Sequence, residues 1–454
     1  MDSNVDDVLP LTRRVMGGVP ATTLDDAVKL CNPAVALDPE ADAGLHVNLD
    51  VLRGGDRMAT LIRAIRRQGS TSSLQFLTGH IGSGKTTELL RMGNRLSKLP
   101  FDHRPTVLVL DATPLVEISD VDLEDILVAL WKLVADRSTP AAAAVLAEIW
   151  KKELRDAIVS QATGASGLLR SVVDKLPSVA TEGLSKLLDV LKLQPPEQRK
   201  ALRMLLSNLT DTLVHGLNRA LEVVREAAAG PVVLLIDNLE KLSSRQREAV
   251  EHLYLERLRA LSRLDAHLVI TAPSFLVYSS GGAGLLGQYA TEVVVLPMVR
   301  VRGTAEGGHA RDDQGIDLLV RVLTQRVDFA RLFDGGVETA EAIVLATGGC
   351  IRHALAVVAS AINQQDDAPI ARTSVDRALG QFEAGLMRAL DDEWLPALRK
   401  VHETNRFPSD CKADARREML RNLFVLEYQR GQSEETFFEV HPLVVRSRRF
   451  REAT

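Results

Sequence analysis

Five short apolar runs between residues 74 and 297 predict buried strands. They span residues 74–77, 106–111, 232–237, 267–274 and 292–297. Continuous apolar runs of this length are typical of parallel strands that are covered on both faces. Between the runs, apolar residues recur three and four positions apart, which predicts helices. The alternation of the two patterns predicts an α/β fold around a parallel sheet.

One interval between two predicted strands is far too long to be an ordinary crossover. From Asp122 to about Arg225 the pattern is helical nearly throughout. We therefore predict a helical insertion over about 120–228, with one helix spanning 197–228 after a Pro-Pro pair. We expect the insertion to pack as a helix pair on its own core. The amphipathic stretch 168–193 leaves open a surface for a membrane or a partner.

The rest of the chain divides into three smaller parts. Residues 1–45 carry four prolines and no clear period, which predicts an N-terminal arm before a core domain at 46–300. Over 342–355 the pattern reads as helix, Gly-Gly break and helix, and predicts a helical lid at 301–385. A helix at 414–422 followed by strands at 423–428 and 436–444 predicts a winged-helix-like domain at 386–454.

Composition narrows the class of protein. The chain has 454 residues with 46% hydrophobic content and a net charge of -5, which argues against a generally basic nucleic-acid-binding surface. The three cysteines show no C-x-x-C and suggest neither a disulfide framework nor a zinc site. The acidic N-terminus differs from a signal peptide, and no run approaches the length of a membrane span. We expect a cytoplasmic protein without a membrane span.

The most specific motif is a phosphate-binding loop directly after the first predicted strand. The pattern G-x-x-x-x-G-K-S/T is filled here, and a helix start follows it. Its glycines let the backbone N–H groups point inward at phosphate oxygens, and the helix adds the positive end of its dipole. Lys85 would reach the β- and γ-phosphates, and the Thr86 hydroxyl would ligate Mg²⁺. The predicted nucleotide-binding residues are Gly79, His80, Ile81, Gly82, Ser83, Gly84, Lys85, Thr86 and Thr87.

Polar residues at other element ends complete a candidate site. Asp237 ends the third strand, where it would hold Mg²⁺ through water. Thr271, late in the fourth strand, would sense the γ-phosphate and orient the attacking water. Arg352 would swing to the γ-phosphate from the lid, the alternative being a solvated arginine at a helix corner. Arg53, before a Gly-Gly pair, lies where a loop could contact the adenine or ribose, although a plain turn is favoured.

In their order these motifs resemble those of P-loop ATPases of the AAA+ and STAND group. The segment FLTGHIGSGKTTEL is similar to a bacterial set whose loop runs close to G-H-x-G-S-G-K-S/T-T-E-L. The resemblance in motif order extends over most of residues 48–445. It implies a five-stranded sheet of order 5-1-4-3-2, a helical lid and a C-terminal winged helix, with ATP and Mg²⁺ as ligands. It assigns Walker A to residues 79–87, Walker B to Asp237, sensor 1 to Thr271 and sensor 2 to Arg352.

One position departs from the AAA+ pattern. Asn238 stands where these enzymes usually place a catalytic glutamate, and the nearest acid is Glu240. An amide can orient a water molecule but cannot take its proton. Since phosphoryl transfer depends mostly on positioning and charge stabilisation, slow turnover would survive. We therefore expect a slow, switch-like ATPase with Glu240 as the candidate acidic residue.

Three functions stay open at this point. The leading hypothesis is a nucleotide-gated switch. It would control either the assembly of this chain into a homo-oligomer or a protein partner. The second is a DNA-binding initiator or loader, with Arg446, Arg448, Arg449 and Arg451 on the phosphates, although a solvated terminus or a protein contact is favoured. The third is a scaffold that binds nucleotide without hydrolysis.

Two details of nucleotide handling are left open by the sequence. The candidates for an arginine donated to a neighbouring subunit's nucleotide are Arg257, Arg259 and Arg263, although a solvated helix face is favoured for each. Adenine is favoured over guanine by the resemblance and by the absence of an N-K-x-D motif.

Overall fold

A five-stranded parallel sheet forms the centre of the computed structural model. The structure describes residues 19–100, 104–117, 120–162, 170, 173–228, 230–241, 247–278, 284, 287–430 and 435–452. The strands are β1 (Ser73–Gly79), β2 (Thr106–Asp111), β3 (Val232–Asp237), β4 (His267–Pro273) and β5 (Glu292–Leu296). Their order is β2-β3-β4-β1-β5, with every neighbouring pair parallel. The predicted α/β fold is confirmed, and so is the 5-1-4-3-2 strand order that the resemblance implied.

The apolar runs become strands because both faces of the sheet are covered. Every residue of β1, β3 and β4 is buried. Each large apolar side chain removed from water contributes roughly 1.5–3 kcal/mol, so these runs are stable only inside the sheet. The register aligns Asp111 with Asp237, and Gly79 with Pro273 and Leu296. The carboxyl ends of the strands therefore meet at one edge, where the predicted site residues lie.

Helices before and after β1 cover one face of the sheet. These are α2 (Arg57–Gln68) and α3 (Lys85–Ser97), whereas α1 (Leu24–Leu30) and a 3₁₀ turn at Asp50–Arg53 come earlier in the chain. The Asp56 side chain caps α2 by accepting from the Ala59 N–H. Apolar residues of α2 and α3, such as Met58 and Met92, pack with Leu77 in one core.

The predicted helical insertion between β2 and β3 is confirmed. It contains α4 (Leu123–Asp136), α5 (Pro140–Ile149), a π-helical turn (Trp150–Arg155), α6 (Asp156–Gln161), α7 (Ala180–Leu193), α8 (Pro196–Ser207) and α9 (Thr210–Ala228). The single helix predicted over 197–228 is wrong, because the chain breaks at Asn208 and Leu209. Residues 163–169, 171 and 172 lie outside the described residues, and four of them, 168, 169, 171 and 172, belong to the predicted amphipathic stretch.

The insertion does not have a core of its own, contrary to our expectation. Trp131 and Trp150 belong to the same cluster of buried residues as Leu74 and Phe76 of β1. The Trp131 indole N–H also donates to the carbonyl of Leu213, 3.1 Å away, which joins α4 to α9. The insertion therefore covers the second face of the sheet.

The remaining helices of the core and the lid follow. They are α10 (Arg247–Leu255), α11 (Ser274–Tyr278), α12 (Asp313–Thr324), α13 (Phe329–Leu332), α14 (Gly336–Ala346), α15 (Ile351–Ile362) and α16 (Arg372–Ala389), with 3₁₀ turns at Leu239–Lys241, Arg257–Arg263 and Ala305–Gly307. The predicted helix, Gly-Gly break and helix are confirmed by α14 and α15. Residues from 19 onward of the predicted arm pack on the lid, where Ala21 pairs with Val327; residues 1–18 lie outside the described residues.

The C-terminal region shows the predicted helix and hairpin. After a 3₁₀ turn at Asp392–Trp394 it contains α17 (Leu395–Thr404), α18 (Ala413–Arg421), β6 (Val425–Gln429), β7 (Thr436–Val440), α19 (Pro442–Val445) and α20 (Arg448–Glu452). β6 and β7 are antiparallel, and residues 431–434 between them lie outside the described residues. The strand predicted over 436–444 runs too far, because the His441 side chain caps α19 and Pro442 starts it. Within the described part of the chain, no helix has both the length and the apolar character needed to cross a membrane.

Candidate nucleotide-binding site

The loop between β1 and α3 has the backbone geometry that a phosphate cradle requires. Gly82 and Gly84 have φ values of 85° and 94°, in the left-handed region that favours glycine. α3 then begins at Lys85, so its free N–H groups and its positive dipole end face the loop. These features fit the predicted phosphate-binding site, because helix N-termini with free N–H groups favour anions.

A cavity of about 620 Å³ opens beside this loop. It lies between the loop, the ends of β2 and β3, and the first turn of α15. The predicted site residues that line it are Ile81, Gly82, Gly84, Lys85, Thr86, Thr87, Asp237, Glu240 and Arg352. Gly79, His80, Ser83 and Thr271 do not belong to this lining.

The Lys85 ammonium group is buried and held by the loop itself. Its Nζ donates to the carbonyl oxygens of Gly79, 3.0 Å away, and His80, 3.1 Å away. It also lies 3.6 Å from a carboxylate oxygen of Glu240. The ammonium is therefore positioned beside the cavity with both loop carbonyls and an acid as partners.

Thr86 and Asp237, the predicted metal ligands, lie next to each other. The Thr86 side chain hydrogen-bonds to the Asp237 carboxylate. Burial and the nearby charge of Glu240 raise the pKa of Asp237 to about 6. Its buried Oδ1 finds no hydrogen-bond donor among the residues that the structure describes. A hydroxyl and a carboxylate with a free oxygen suit Mg²⁺, which prefers oxygen ligands and would supply positive charge at the phosphates.

The Asn238 side chain is turned toward the end of β2. Its Nδ2 donates to Oδ1 of Asp111 over 2.7 Å, and its backbone φ is 68°. Asparagine tolerates this left-handed conformation better than most residues, because its short polar side chain can hydrogen-bond locally. Asn238 thus shapes the turn that carries Asp237 and Glu240.

Substitutions at Asn238 can separate the effect of its hydrogen bond to Asp111 from the effect of its left-handed backbone conformation. Asn238→Ala and Asn238→Gly both lose the bond to Asp111, but only glycine keeps the left-handed backbone without strain. We expect the alanine variant to be less stable than the glycine variant by about 1 kcal/mol in urea denaturation. Equal stabilities would contradict a strained turn.

Thr271 is fully buried in β4. Its hydroxyl donates to the carbonyl of Ile236 over 3.4 Å, and its own carbonyl accepts from the Tyr254 hydroxyl at 2.8 Å. The structure thus places Thr271 between β3 and α10, and does not bring it to the cavity with Lys85 and Asp237.

Arg352 is a point of contact between the lid and the phosphate loop. A Cβ atom on Gly82 would lie 2.7 Å from the Cβ of Arg352, so only glycine permits this close approach. The buried Nε of Arg352 has no acceptor among the described residues. The guanidinium therefore retains a donor that a bound anion could accept.

Arg53 has a role that the sequence did not indicate. Its buried guanidinium donates to the carbonyl of Ser83 and, over 2.9 Å, to the carboxylate of Glu88. From the end of the 3₁₀ turn Asp50–Arg53 it thus supports the phosphate loop and the first turn of α3, and it also lines the cavity. Only the position of an arginine before Gly54 and Gly55 could have drawn attention to it.

The His80 side chain points to the C-terminal region. Its Nε2 accepts from the Glu427 N–H at 3.1 Å, and its Nδ1 lies 3.1 Å from the carbonyl oxygen of Leu420. Because a backbone N–H can only donate, Nδ1 carries the proton of the neutral ring. Burial lowers the pKa of His80 to about 4, since it disfavours the imidazolium. The phosphate loop is therefore joined directly to α18 and β6.

Two of the arginines considered for donation to another subunit have partners within this chain. Arg257 lies 2.5 Å from the carboxylate of Glu124, and Arg263 lies 2.8 Å from that of Asp211. Arg259 is exposed. These contacts show intramolecular ion pairs for Arg257 and Arg263.

Comparisons with known proteins add distant similarity only. No family model matches the chain, and no curated protein matches it. Among solved structures, the chain is similar to a Walker-type ATPase of Pyrococcus abyssi, with 13% identity and a TM-score of 0.39 over 88% of this chain and 98% of that one. It is also similar to Cdc6p from Pyrobaculum aerophilum, with 14% identity and a TM-score of 0.37 over 94% and 97% of the two chains. A third is the Orc1 protein of Aeropyrum pernix in complex with DNA, with 16% identity and a TM-score of 0.33 over 86% and 90%. The assignment of the fold therefore rests on the strand order and the loop geometry of this chain.

Proposed function

We propose that this protein is a Mg²⁺-dependent, ATP-binding AAA+/STAND-like ATPase with slow turnover, acting as a nucleotide-gated switch for self-assembly or for a protein partner. One observation carries the proposal. The loop that would hold the triphosphate is joined through His80 to the C-terminal helix and hairpin.

Lys85 supplies the link between nucleotide and loop. Its ammonium now donates to the carbonyls of Gly79 and His80. A triphosphate in the cradle competes for that ammonium, because charge-assisted bonds to phosphate are stronger than bonds to a neutral carbonyl. The His80 backbone then loses a partner while its ring still bonds to Leu420 and Glu427. Nucleotide binding thereby shifts the equilibrium of C-terminal docking by its differential affinity for the two states.

The β6–β7 hairpin also contacts the lid and the segment that follows β5. The Met298 N–H donates to the carbonyl of Glu427 over 3.1 Å, and the Tyr428 hydroxyl donates to the carbonyl of Gly348 over 2.5 Å. Gly348 lies in the break that precedes α15 and Arg352. A lid movement driven by Arg352 would therefore reach the same hairpin that His80 holds.

Slow turnover follows from the acids at the end of β3. Asn238 cannot accept a proton from water, and its amide is engaged with Asp111. Glu240 lines the cavity near Lys85, with one buried oxygen that lacks a hydrogen-bond donor among the described residues. We assign Glu240 the role of orienting water, with Lys85 and Arg352 stabilising charge on the phosphates. Thr271 is assigned a supporting role behind Asp237.

Contacts at the C-terminus weigh against duplex DNA as the ligand. Arg446 lies 2.5 Å from Glu383, Arg449 lies 2.5 Å from Asp392, and Arg448 lies 2.7 Å from Glu452. Phosphate binding requires positive charge that can replace counterions along the duplex. Because three of the four candidate arginines have carboxylate partners, the switch takes precedence over the DNA-binding alternative.

The proposal predicts that Mg·ATP changes the exposure of the hairpin. Hydrogen exchange of the full chain should show altered protection in residues 420–429, including the Glu427 amide, upon addition of Mg·ATP. Light scattering in the same samples should report a change of mass if assembly is the output. The Lys85→Ala variant should show neither change. Calorimetric binding of Mg·ATP without any change in exchange or mass would refute the switch and leave only a nucleotide-binding scaffold.

A further inference from the structure

We propose that His309, His402 and Glu439 form a binding site for a transition-metal dication of the zinc class. One ligand atom from each residue lies within 4.8 Å of the others. Nδ1 of His309 is 2.8 Å from Oε2 of Glu439, and Nδ1 of His402 is 2.6 Å from Oε1. The two imidazole rings are stacked, with centroids 4.5 Å apart and planes 13° from parallel. Both rings therefore present a nitrogen to the same carboxylate.

The donor set selects the class of metal. Two imidazole nitrogens and one carboxylate oxygen suit Zn²⁺, which binds such ligands tetrahedrally and accepts water in the fourth position. Nδ1 of His309 is buried and makes no hydrogen bond with a described residue, although Glu439 is within 2.8 Å. A cation held by the two rings and the carboxylate would satisfy this nitrogen and would replace the direct hydrogen bond between His402 and Glu439.

Groups around Glu439 hold the carboxylate in place. The Asn405 side-chain amide donates to Oε2 over 3.1 Å, and the Val440 N–H donates to Oε1 over 3.0 Å. Such supporting bonds orient the ligands of metal sites and are part of their affinity. Glu439 is buried, whereas both histidines are partly exposed, which leaves an entry path for an ion.

The three ligands come from separate parts of the fold. His309 lies in the loop between β5 and α12, His402 is on α17, and Glu439 is on β7. The same loop is held by a bond from the Ala305 N–H to the Asn405 side chain, 2.5 Å long. A bound metal would crosslink the segment that leads into the lid to the C-terminal domain. This site shares no residue with the cavity beside Lys85, and its existence does not depend on the proposed ATPase function.

Sequence spacing could not reveal this cluster. Cysteine spacing suggested no zinc site, and the three ligands are separated by long stretches of chain without a local motif. Only the packing of the loop on α17 and β7 brings them together.

Metal titration of the full chain tests the proposal. After chelator treatment, we expect calorimetry with Zn²⁺ to give one equivalent per chain, and Co²⁺ to give the visible bands of a tetrahedral site. Glu439→Gln keeps the size of the side chain and an acceptor for Asn405, yet should lower Zn²⁺ affinity by at least about tenfold. His309→Ala should do the same from an independent element and serves as the test if Glu439→Gln fails to fold.

Two controls identify other sources of binding. His252→Ala removes an exposed histidine that is paired with Glu256, 3.0 Å away, and should bind Zn²⁺ like wild type. Asp237→Asn alters the candidate magnesium site and should also leave Zn²⁺ affinity unchanged. Absence of stoichiometric binding by wild type, or equal affinity in wild type and the Glu439→Gln and His309→Ala variants, overturns the proposal.

Discussion

Lys85→Ala is expected to weaken Mg·ATP binding about a hundredfold, which corresponds to roughly 3 kcal/mol, and to abolish phosphate release. Lys85 carries the ammonium that is buried beside the cavity, and its Nζ already lies within 3.1 Å of two loop carbonyls. Alanine removes the charge that would meet the β- and γ-phosphates. Isothermal titration calorimetry gives the affinity, and a coupled phosphate assay gives the turnover.

A matched control lies directly after the same helix. Lys98, just past the end of α3, pairs with Glu40 over 2.8 Å and is exposed. Lys98→Ala should bind and hydrolyse ATP as wild type does. Unaltered ATP binding by Lys85→Ala, in protein whose thermal unfolding matches wild type, would contradict the assignment of the loop.

The strands of the sheet could be predicted because each one is specified by a short, continuous stretch of sequence. Each strand is a continuous apolar run, and the β1 strand leads directly into a glycine loop and a helix. The order of the strands came from the resemblance, not from the runs themselves. The core of the insertion could not be predicted, because whether Trp131 packs on a neighbouring helix or on Phe76 of the sheet depends on contacts between distant segments.

The same distinction holds in the candidate site. Lys85 and Thr86 follow from a contiguous motif, and the structure brings them to Asp237 at the end of β3. The support of the loop by Arg53 is not contiguous, since its partner Glu88 lies 35 residues away. The orientation of His80 depends on α18 and β6, more than 300 residues later, so no local pattern predicts it.

Because the His80 ring is buried between the loop and the C-terminal region, we expect His80 to make the stability of the fold depend on pH. Burial lowers the pKa of His80 to about 4, from a model-peptide value of about 6.5. The unfolded chain therefore binds a proton at higher pH than the folded chain does. Stability from the neutral ring is fully present above about pH 6.5 and is lost as the pH falls toward 4. At 1.36 kcal/mol per pKa unit, the loss approaches about 3 kcal/mol.

Other buried groups change stability over the same range. Burial lowers the pKa of His353 to about 4, which acts in the same direction. Burial raises the pKa of Glu427 to about 7, which acts in the opposite direction, because the folded chain then holds the extra proton. These contributions are common to wild type and to a variant at position 80, so the difference between the two curves isolates His80.

His80→Gln is the variant that shows this contribution. Its amide oxygen can accept from the Glu427 N–H in place of Nε2, but the side chain does not titrate. We expect the stability of wild type relative to His80→Gln to fall by up to about 3 kcal/mol between pH 7 and pH 4, measured by urea denaturation. His215→Gln replaces an exposed histidine of α9 and should follow wild type. Parallel curves for wild type and His80→Gln would mean that the ring is not held neutral between the loop and the hairpin, and the coupling proposed for the switch would lose its physical basis.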